Sequence, residues 1–187
     1  MHRRLFPLLA VLAVVACQKP LDLPKLFPVP AAQLVNEEGK GVNLDAMKGG
    51  VTVYNFIFTH CTGTCPIMTN NMRALTQKVA KDAPVHFVSI SVDPTRDTPA
   101  VLAEYAKRVR NDARWTFLTG DRNAIVRLSV DGFKLSAGDP VPGGEPLLHS
   151  SKFAVADKTG TIRAYYDGSD ALSIDQAAKA VEQLLAE

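Results

Sequence analysis

Residues 51–58 read Val-Thr-Val-Tyr-Asn-Phe-Ile-Phe, a nearly continuous run of β-branched and aromatic side chains. A strand with one face in water would alternate apolar with polar residues. This run predicts a strand covered on both faces, hence central in a sheet layered with helices. A helix is expected next. From Pro66 onward Met68, Met72, Leu75 and Val79 recur at spacings of four, three and four, which places them on one face of a helix ending near the Asp82-Ala83-Pro84 break. That spacing assigns Met68 and Met72 to the core rather than to a thioether metal site.

The rest of the chain fills in around this strand. Residues 85–92 alternate and predict a second strand, 99–109 a helix with Pro99 in its first turn, 115–118 a third strand and 121–130 another helix. Residues 136–146 hold three glycines and three prolines and read as a loop. Two hairpins are expected: residues 34–36 and 42–44 around Glu37-Glu38-Gly39-Lys40-Gly41, and 152–156 and 161–166 around Asp157-Lys158-Thr159-Gly160. Residues 173–185 close the chain as an amphipathic helix with Ile174, Ala177, Ala178, Val181 and Leu185 on one side. Strands alternating with helices need parallel crossovers, and the last hairpin adds antiparallel strands. The class is α/β, a mixed sheet flanked by helices with an N-terminal β-hairpin, and a thioredoxin-like domain fits the order.

The first residues belong to a different kind of segment. Met1 to Arg4 is basic and residues 5–16 are apolar, the pattern of a secretory signal. Twelve residues in a helix reach only about 18 Å, short of the roughly 30 Å hydrocarbon core, so a transmembrane helix is the poorer reading. Val14-Val15-Ala16-Cys17 resembles a bacterial lipoprotein processing box, which makes Cys17 a lipid-anchored first residue facing an oxidising, extracytoplasmic space. Pro20, Pro24, Pro28 and Pro30 predict an extended tether through residue 30, with the folded domain beginning near Ala31. Without Arg3 and Arg4, the 21 Lys and Arg of the whole chain become 19, equal to the 19 Asp and Glu. A neutral chain with no basic stripe gives no electrostatic reason to bind nucleic acid, and no such partner is expected.

Three cysteines are too few for a disulfide scaffold. Cys61 and Cys65 lie in Thr59-His60-Cys61-Thr62-Gly63-Thr64-Cys65-Pro66, where a strand hands over to a helix. The N–H groups at a helix start favour negative charge and so the thiolate form. Three residues apart, the two sulfurs can close a disulfide or share one metal ion, and both options stand. Two thiolates with a nitrogen donor suit copper(I) or zinc better than magnesium or calcium. Three histidines could supply the nitrogen. His60 adjoins Cys61 but in an extended segment points the other way, and His86 sits on a strand and reads as structural. His149 follows the Gly/Pro-rich loop and precedes a strand, at the sheet end that carries active groups in open α/β folds, and is the best third donor.

Four segments together carry a family resemblance. They are FTHCTGTCP at 58–66, SVDPTRDTPAVLAEYAK at 91–107, WTFLTG at 115–120 and HSSKFAVADKTG at 149–160. In this order they resemble the Sco (SenC/PrrC) family. The resemblance implies a membrane-anchored, thioredoxin-like protein that binds copper and assists assembly of the dinuclear copper site of cytochrome c oxidase. By match of motif, Cys61, Cys65 and His149 take the ligand roles, and Asp93 of the SVDP match lies near the metal; otherwise Asp93 is a cap after the preceding strand. Many family members carry an acidic or polar residue before the histidine, where this chain has Leu148.

The implied division is a signal peptide (1–16), a lipid-anchored tether (17–30) and a thioredoxin-like copper-binding domain (31–187). The first functional reading is a monomeric copper metallochaperone for Cu(I), with Cu(II) tolerated, whose partner is the copper-site subunit of cytochrome c oxidase or another extracytoplasmic copper protein. The rival is a thiol-disulfide oxidoreductase using Cys61 and Cys65 as a redox pair, although such an enzyme has no need of His149. A thiol peroxidase, suggested by Thr62 three residues before Cys65, lacks an assigned arginine partner and ranks third.

Overall fold

The computed structural model describes residues 20–135 and 150–187. In chain order it holds β1 (Phe27–Pro28), β2 (Gln33–Asn36), β3 (Gly41–Asn43), β4 (Val51–Ile57), α1 (Cys65–Lys78) and β5 (Val85–Ser91). There follow α2 (Pro99–Val109), β6 (Trp115–Thr119), α3 (Arg122–Arg127), β7 (Lys152–Ala156), β8 (Thr161–Asp167) and α4 (Ala171–Ala186).

Every residue of β4 is buried, as its unbroken apolar run requires. The described strands make one mixed sheet of eight, in the order β1-β8-β7-β4-β5-β6-β2-β3. β4 pairs in parallel with β5, from Val51↔Val85 to Ile57↔Ser91, and β5 with β6. On its other side β4 meets β7 antiparallel, at Tyr54↔Ala154. Both expected hairpins form. Gly39 (φ 78°) and Gly160 (φ 79°) supply the left-handed conformation their turns need. A line of polar groups crosses the buried centre: Trp115 Nε1 donates to Ser89 Oγ at 2.9 Å, and Ser89 Oγ donates to Asn55 Oδ1 at 2.7 Å.

α1 buries Met68, Met72 and Leu75 as their spacing predicts, so both methionines are core. The helix stops at Lys78, earlier than the Asp82-Ala83-Pro84 break, because Val79 turns extended while keeping its side chain buried. α1 packs on α4, and α2 on β6. In α4 the inner row ends on buried Leu184 rather than Leu185, since 3.6 residues per turn carry the row of Ile174, Ala177 and Val181 to 184. α3 starts at the Asp121 cap and gives way at Leu128 to a π-helical turn through Gly132.

The expected tether from Gln18 to Pro30 is corrected. From Leu21 onward the segment is part of the folded domain. Leu21 N donates to Gln183 Oε1 at 2.8 Å, Gln183 Nε2 returns a bond to Leu21 O at 3.1 Å, and Leu23 and Val29 are buried. Phe27 and Pro28 form a two-residue strand on the sheet edge, where Leu26 N and Val29 N donate to Ile162 O and Gly160 O. Proline is tolerated on an edge strand when its missing N–H faces away from the neighbour, so Pro28 does not prevent pairing here. Arg163, 7% exposed, fastens this segment by donating to Leu23 O at 2.8 Å from Nε and 2.5 Å from Nη2. It also donates to Asp157 Oδ2 at 3.0 Å and Glu187 Oε2 at 2.7 Å, so one guanidinium bridges the segment at Leu23 and the residue after α4.

Candidate metal centre

β4 and β5 end side by side, and the chain leaving β4 builds the site. Beyond Ile57, Phe58 stays buried and Cys61 N donates to Phe58 O at 3.4 Å, closing a turn over residues 58–61. α1 then begins at Cys65 with Pro66 in its first turn, and Met68 N donates to Thr64 O at 3.0 Å. A first-turn proline costs nothing there because its N–H would have no helical partner. Cys61 and Cys65 are both buried thiols, and they line one cavity of about 190 Å³ with Thr69, Asn70 and Tyr105. The expectation that the two cysteines share one place at a helix start is met.

Tyr105 comes from α2 and was not singled out from the sequence. Its hydroxyl lies 2.8 Å from Thr69 Oγ1. Burial pushes the phenol pKa up; the Thr69 bond opposes this, and the nearby Cys65 and Cys61 add to the rise. Nothing in the spacing of residues 99–109 separates this tyrosine from an ordinary core residue.

A second overlooked residue is Asp97, fully buried at the start of α2. Its Oδ2 accepts from Thr59 N at 3.0 Å and Ser91 Oγ at 2.6 Å, and its Oδ1 accepts from Thr59 Oγ1 at 2.6 Å. One carboxylate thus joins the end of β5 to the turn that carries Cys61. Asp93, expected near the metal, is buried but pairs with Arg96, while its backbone carbonyl accepts from Arg96 N and Asp97 N. The carboxylate that reaches the cysteine turn is Asp97, four residues further on.

His86 lies at the other end of β5, opposite Thr52 and away from the cysteine turn. Burial and the neighbouring Arg114 cation hold its pKa below the ordinary value. His60 is the exposed member of the cysteine turn, its Nδ1 2.9 Å from Thr59 Oγ1. His149 and Cys17 lie outside the described residues, as does the loop expected at 136–146. The register Tyr54↔Ala154 sends the start of β7, at Lys152, toward the end of β4 that leads into Cys61. Among the described residues no group of three or more His, Cys, Asp or Glu is placed to hold a metal. The described donors are two sulfurs, a soft pair matched to copper(I) rather than to magnesium or calcium.

The SCO1/SenC family profile matches residues 29–186, almost the entire described domain. The chain belongs to the SCO1/SenC family. Among solved structures it is similar to a SCO1/SenC family lipoprotein from Bacillus anthracis str. Ames, with 31% identity, a TM-score of 0.76, and 91% of this chain and 99% of that one covered. It is equally similar, at 31% identity and TM-score 0.75 over 90% and 96% of the two chains, to BsSco, a member of the Sco family of cytochrome c oxidase assembly proteins in which a disulfide switch was identified. ScoI of Bradyrhizobium japonicum, solved with copper bound, shares 26% identity at TM-score 0.70 over 84% and 99%. The thioredoxin-like α/β expectation therefore stands. No helix among the described residues is long and apolar enough to cross a membrane.

Proposed function

We propose that this SCO1/SenC protein is a copper carrier that holds Cu(I) through the thiolates of Cys61 and Cys65, with His149 as third ligand. It delivers the ion to the copper-site subunit of cytochrome c oxidase. The observation that carries this reading is the meeting of two buried thiols in one small cavity at the start of α1. A soft ion is favoured by two sulfurs, and a low coordination number leaves room for an acceptor's ligand to enter. The copper held by the Bradyrhizobium relative and the oxidase-assembly family of BsSco support it. Cys17 is the lipid anchor in this reading and the protein is a monomer.

The disulfide switch of BsSco favours a second reading, in which Cys61 and Cys65 reduce a disulfide in a copper-site protein. The two thiols then join as a disulfide, releasing two protons and passing two electrons to the partner's disulfide, which becomes two thiols. The readings separate in one experiment: anaerobic Cu(I) titration of the reduced full-length chain against a competing chelator, with Cys61→Ser and His149→Ala alongside. The carrier reading expects one tightly held equivalent, affinity reduced by orders of magnitude in Cys61→Ser and measurably in His149→Ala, and no tight binding once the disulfide forms. Weak binding, or binding indifferent to Cys61 and His149, overturns it in favour of thiol exchange.

A further inference from the structure

The turn that carries Cys61 presents one donor that the two-sulfur site leaves unused. Strand alternation would turn His60 away from Cys61, but β4 has already ended at Ile57. The bond from Cys61 N to Phe58 O instead makes Thr59 and His60 the central pair of a turn. The imidazole stands at the tip, its side chain 60% exposed.

Exposed as it is, the ring is held. Asp97 is fully buried and accepts from three donors. Ser91 Oγ accepts from Asp93 N, so its own hydrogen goes to Asp97. Thr59 has a single hydroxyl hydrogen, and the 2.6 Å contact to Asp97 Oδ1 takes it. Toward His60 Nδ1, 2.9 Å away, Thr59 Oγ1 is therefore an acceptor. In the neutral ring the hydrogen is then on Nδ1 and the lone pair on Nε2. Ligating imidazoles are oriented in this way, one ring nitrogen donating to an oxygen and the other facing the metal. Thr59 lines both the cysteine cavity and an adjoining surface cleft that His60 shares with Val101, Glu104 and Arg108.

We propose that His60 Nε2 is a transit ligand for Cu(I), the solvent-facing donor through which the ion passes between a partner and the Cys61–Cys65 pair. Asp97 keeps it in the ligating tautomer through Thr59. The inference rests on the copper-carrier reading. In transit His60 and Cys61 share the ion with one thiolate or imidazole of the donor or acceptor. Each step forms one copper–ligand bond as another breaks, copper stays Cu(I), and no electron is exchanged.

The test is the rate of release. Reduced full-length protein, loaded anaerobically with one equivalent of Cu(I), is mixed by stopped flow with excess bicinchoninate, and the absorbance of the Cu(I)–chelator complex is followed. His60→Ala should slow release by about tenfold or more, Thr59→Val should slow it in the same direction, and His86→Gln, outside the site, should match the wild type. Release from His60→Ala within about twofold of wild type overturns the proposal while leaving the copper reading intact. A His60→Ala equilibrium affinity lowered by more than about tenfold makes His60 a resident ligand and overturns it as well. Thr59→Val at the wild-type rate, beside a slow His60→Ala, overturns the Asp97–Thr59 relay. Wild-type protein that fails to retain Cu(I) overturns the carrier reading itself, and the transit role with it.

Discussion

Replacing Arg163 with methionine should loosen both the segment at Leu23 and Glu187 from the sheet. The methionine keeps most of the apolar stem but none of the donors. Asp157 Oδ2 and Leu23 O lose the bonds they accept at 3.0 Å and at 2.8 and 2.5 Å. Removing one partner of a buried ion pair costs about 3–5 kcal/mol. The other oxygen of Asp157 still accepts from Thr159 N, Thr159 Oγ1 and Thr161 N, which places this case at the low end. Glu187 is a half-exposed partner whose loss adds little. The expected loss is about 3 kcal/mol, a fall in Tm of about 6–12 °C for a domain of this size. Urea denaturation of the full-length protein, read by circular dichroism and by the fluorescence of the single tryptophan, Trp115, measures it. Limited proteolysis should also begin to cut within residues 21–30. Adding Asp157→Asn removes the stranded charge, so the double variant should lose less than the sum of the two single losses. A loss below about 1 kcal/mol with residues 21–30 still protected would refute the idea that Arg163 holds the N-terminal segment on the sheet.

Asp97→Ala strips Thr59 N, Thr59 Oγ1 and Ser91 Oγ of their acceptor, and unsatisfied buried donors cost about 1–3 kcal/mol each before relaxation. Urea titration should therefore show a loss of about 3 kcal/mol or more, with Asp97→Asn losing less because its amide oxygen still accepts; equal losses would contradict the assignment. Acid should destabilise the protein. Burial pushes Asp157 up, but bonds from Thr159, Thr161 and Arg163 outweigh it and leave the carboxyl below its ordinary value. Bonds from Ser169 draw the more exposed Asp167 down to about 2. The unfolded chain takes up these protons first, so the stability they contribute is complete above about pH 4 and is lost as pH falls toward the folded values. His86, held below its ordinary value by burial, acts in the same direction from about pH 6.5 downward. Urea midpoints measured from pH 7 to pH 3 should fall steadily, and a midpoint that rises on acidification contradicts these assignments.

The fold was legible where burial is strong and local. Residues 51–58 announce a central strand because they are a nearly continuous run of β-branched and aromatic side chains, and the spacing of apolar residues shows the inner face of α1 and, all but its last residue, that of α4. The N-terminal segment was not legible, because its four prolines speak against regular structure while the contacts that order it come from Gln183 and Arg163, far along the chain. At the site, Cys61 and Cys65 were evident from their place before Pro66. Asp97 was hidden by its neighbour: Asp93 carries the more suggestive motif, and only the bonds between Thr59 and the segment before α2 show which aspartate reaches the cysteine turn. His60 was set aside by a rule of alternation that holds inside a strand and lapses in a turn.

The polar line from Trp115 through Ser89 to Asn55 has a further consequence for how the sheet chooses its alignment. In a half-wet strand a one-residue slip moves apolar side chains into water, and that penalty fixes the pairing. β4 is buried on both faces, so exposure to water penalises a slip of β5 along it less than it would in a half-wet strand. The hydroxyl of Ser89, set opposite Asn55 and accepting from Trp115 Nε1, marks the native pairing. A slip of one residue would put Val88 or Ile90 opposite the amide and leave buried polar groups without partners, at about 1–3 kcal/mol each. Three polar atoms in an otherwise apolar layer thus act as an alignment key for three adjacent strands, and through the shared ends of β4 and β5 they set how far the cysteine turn projects beyond the sheet.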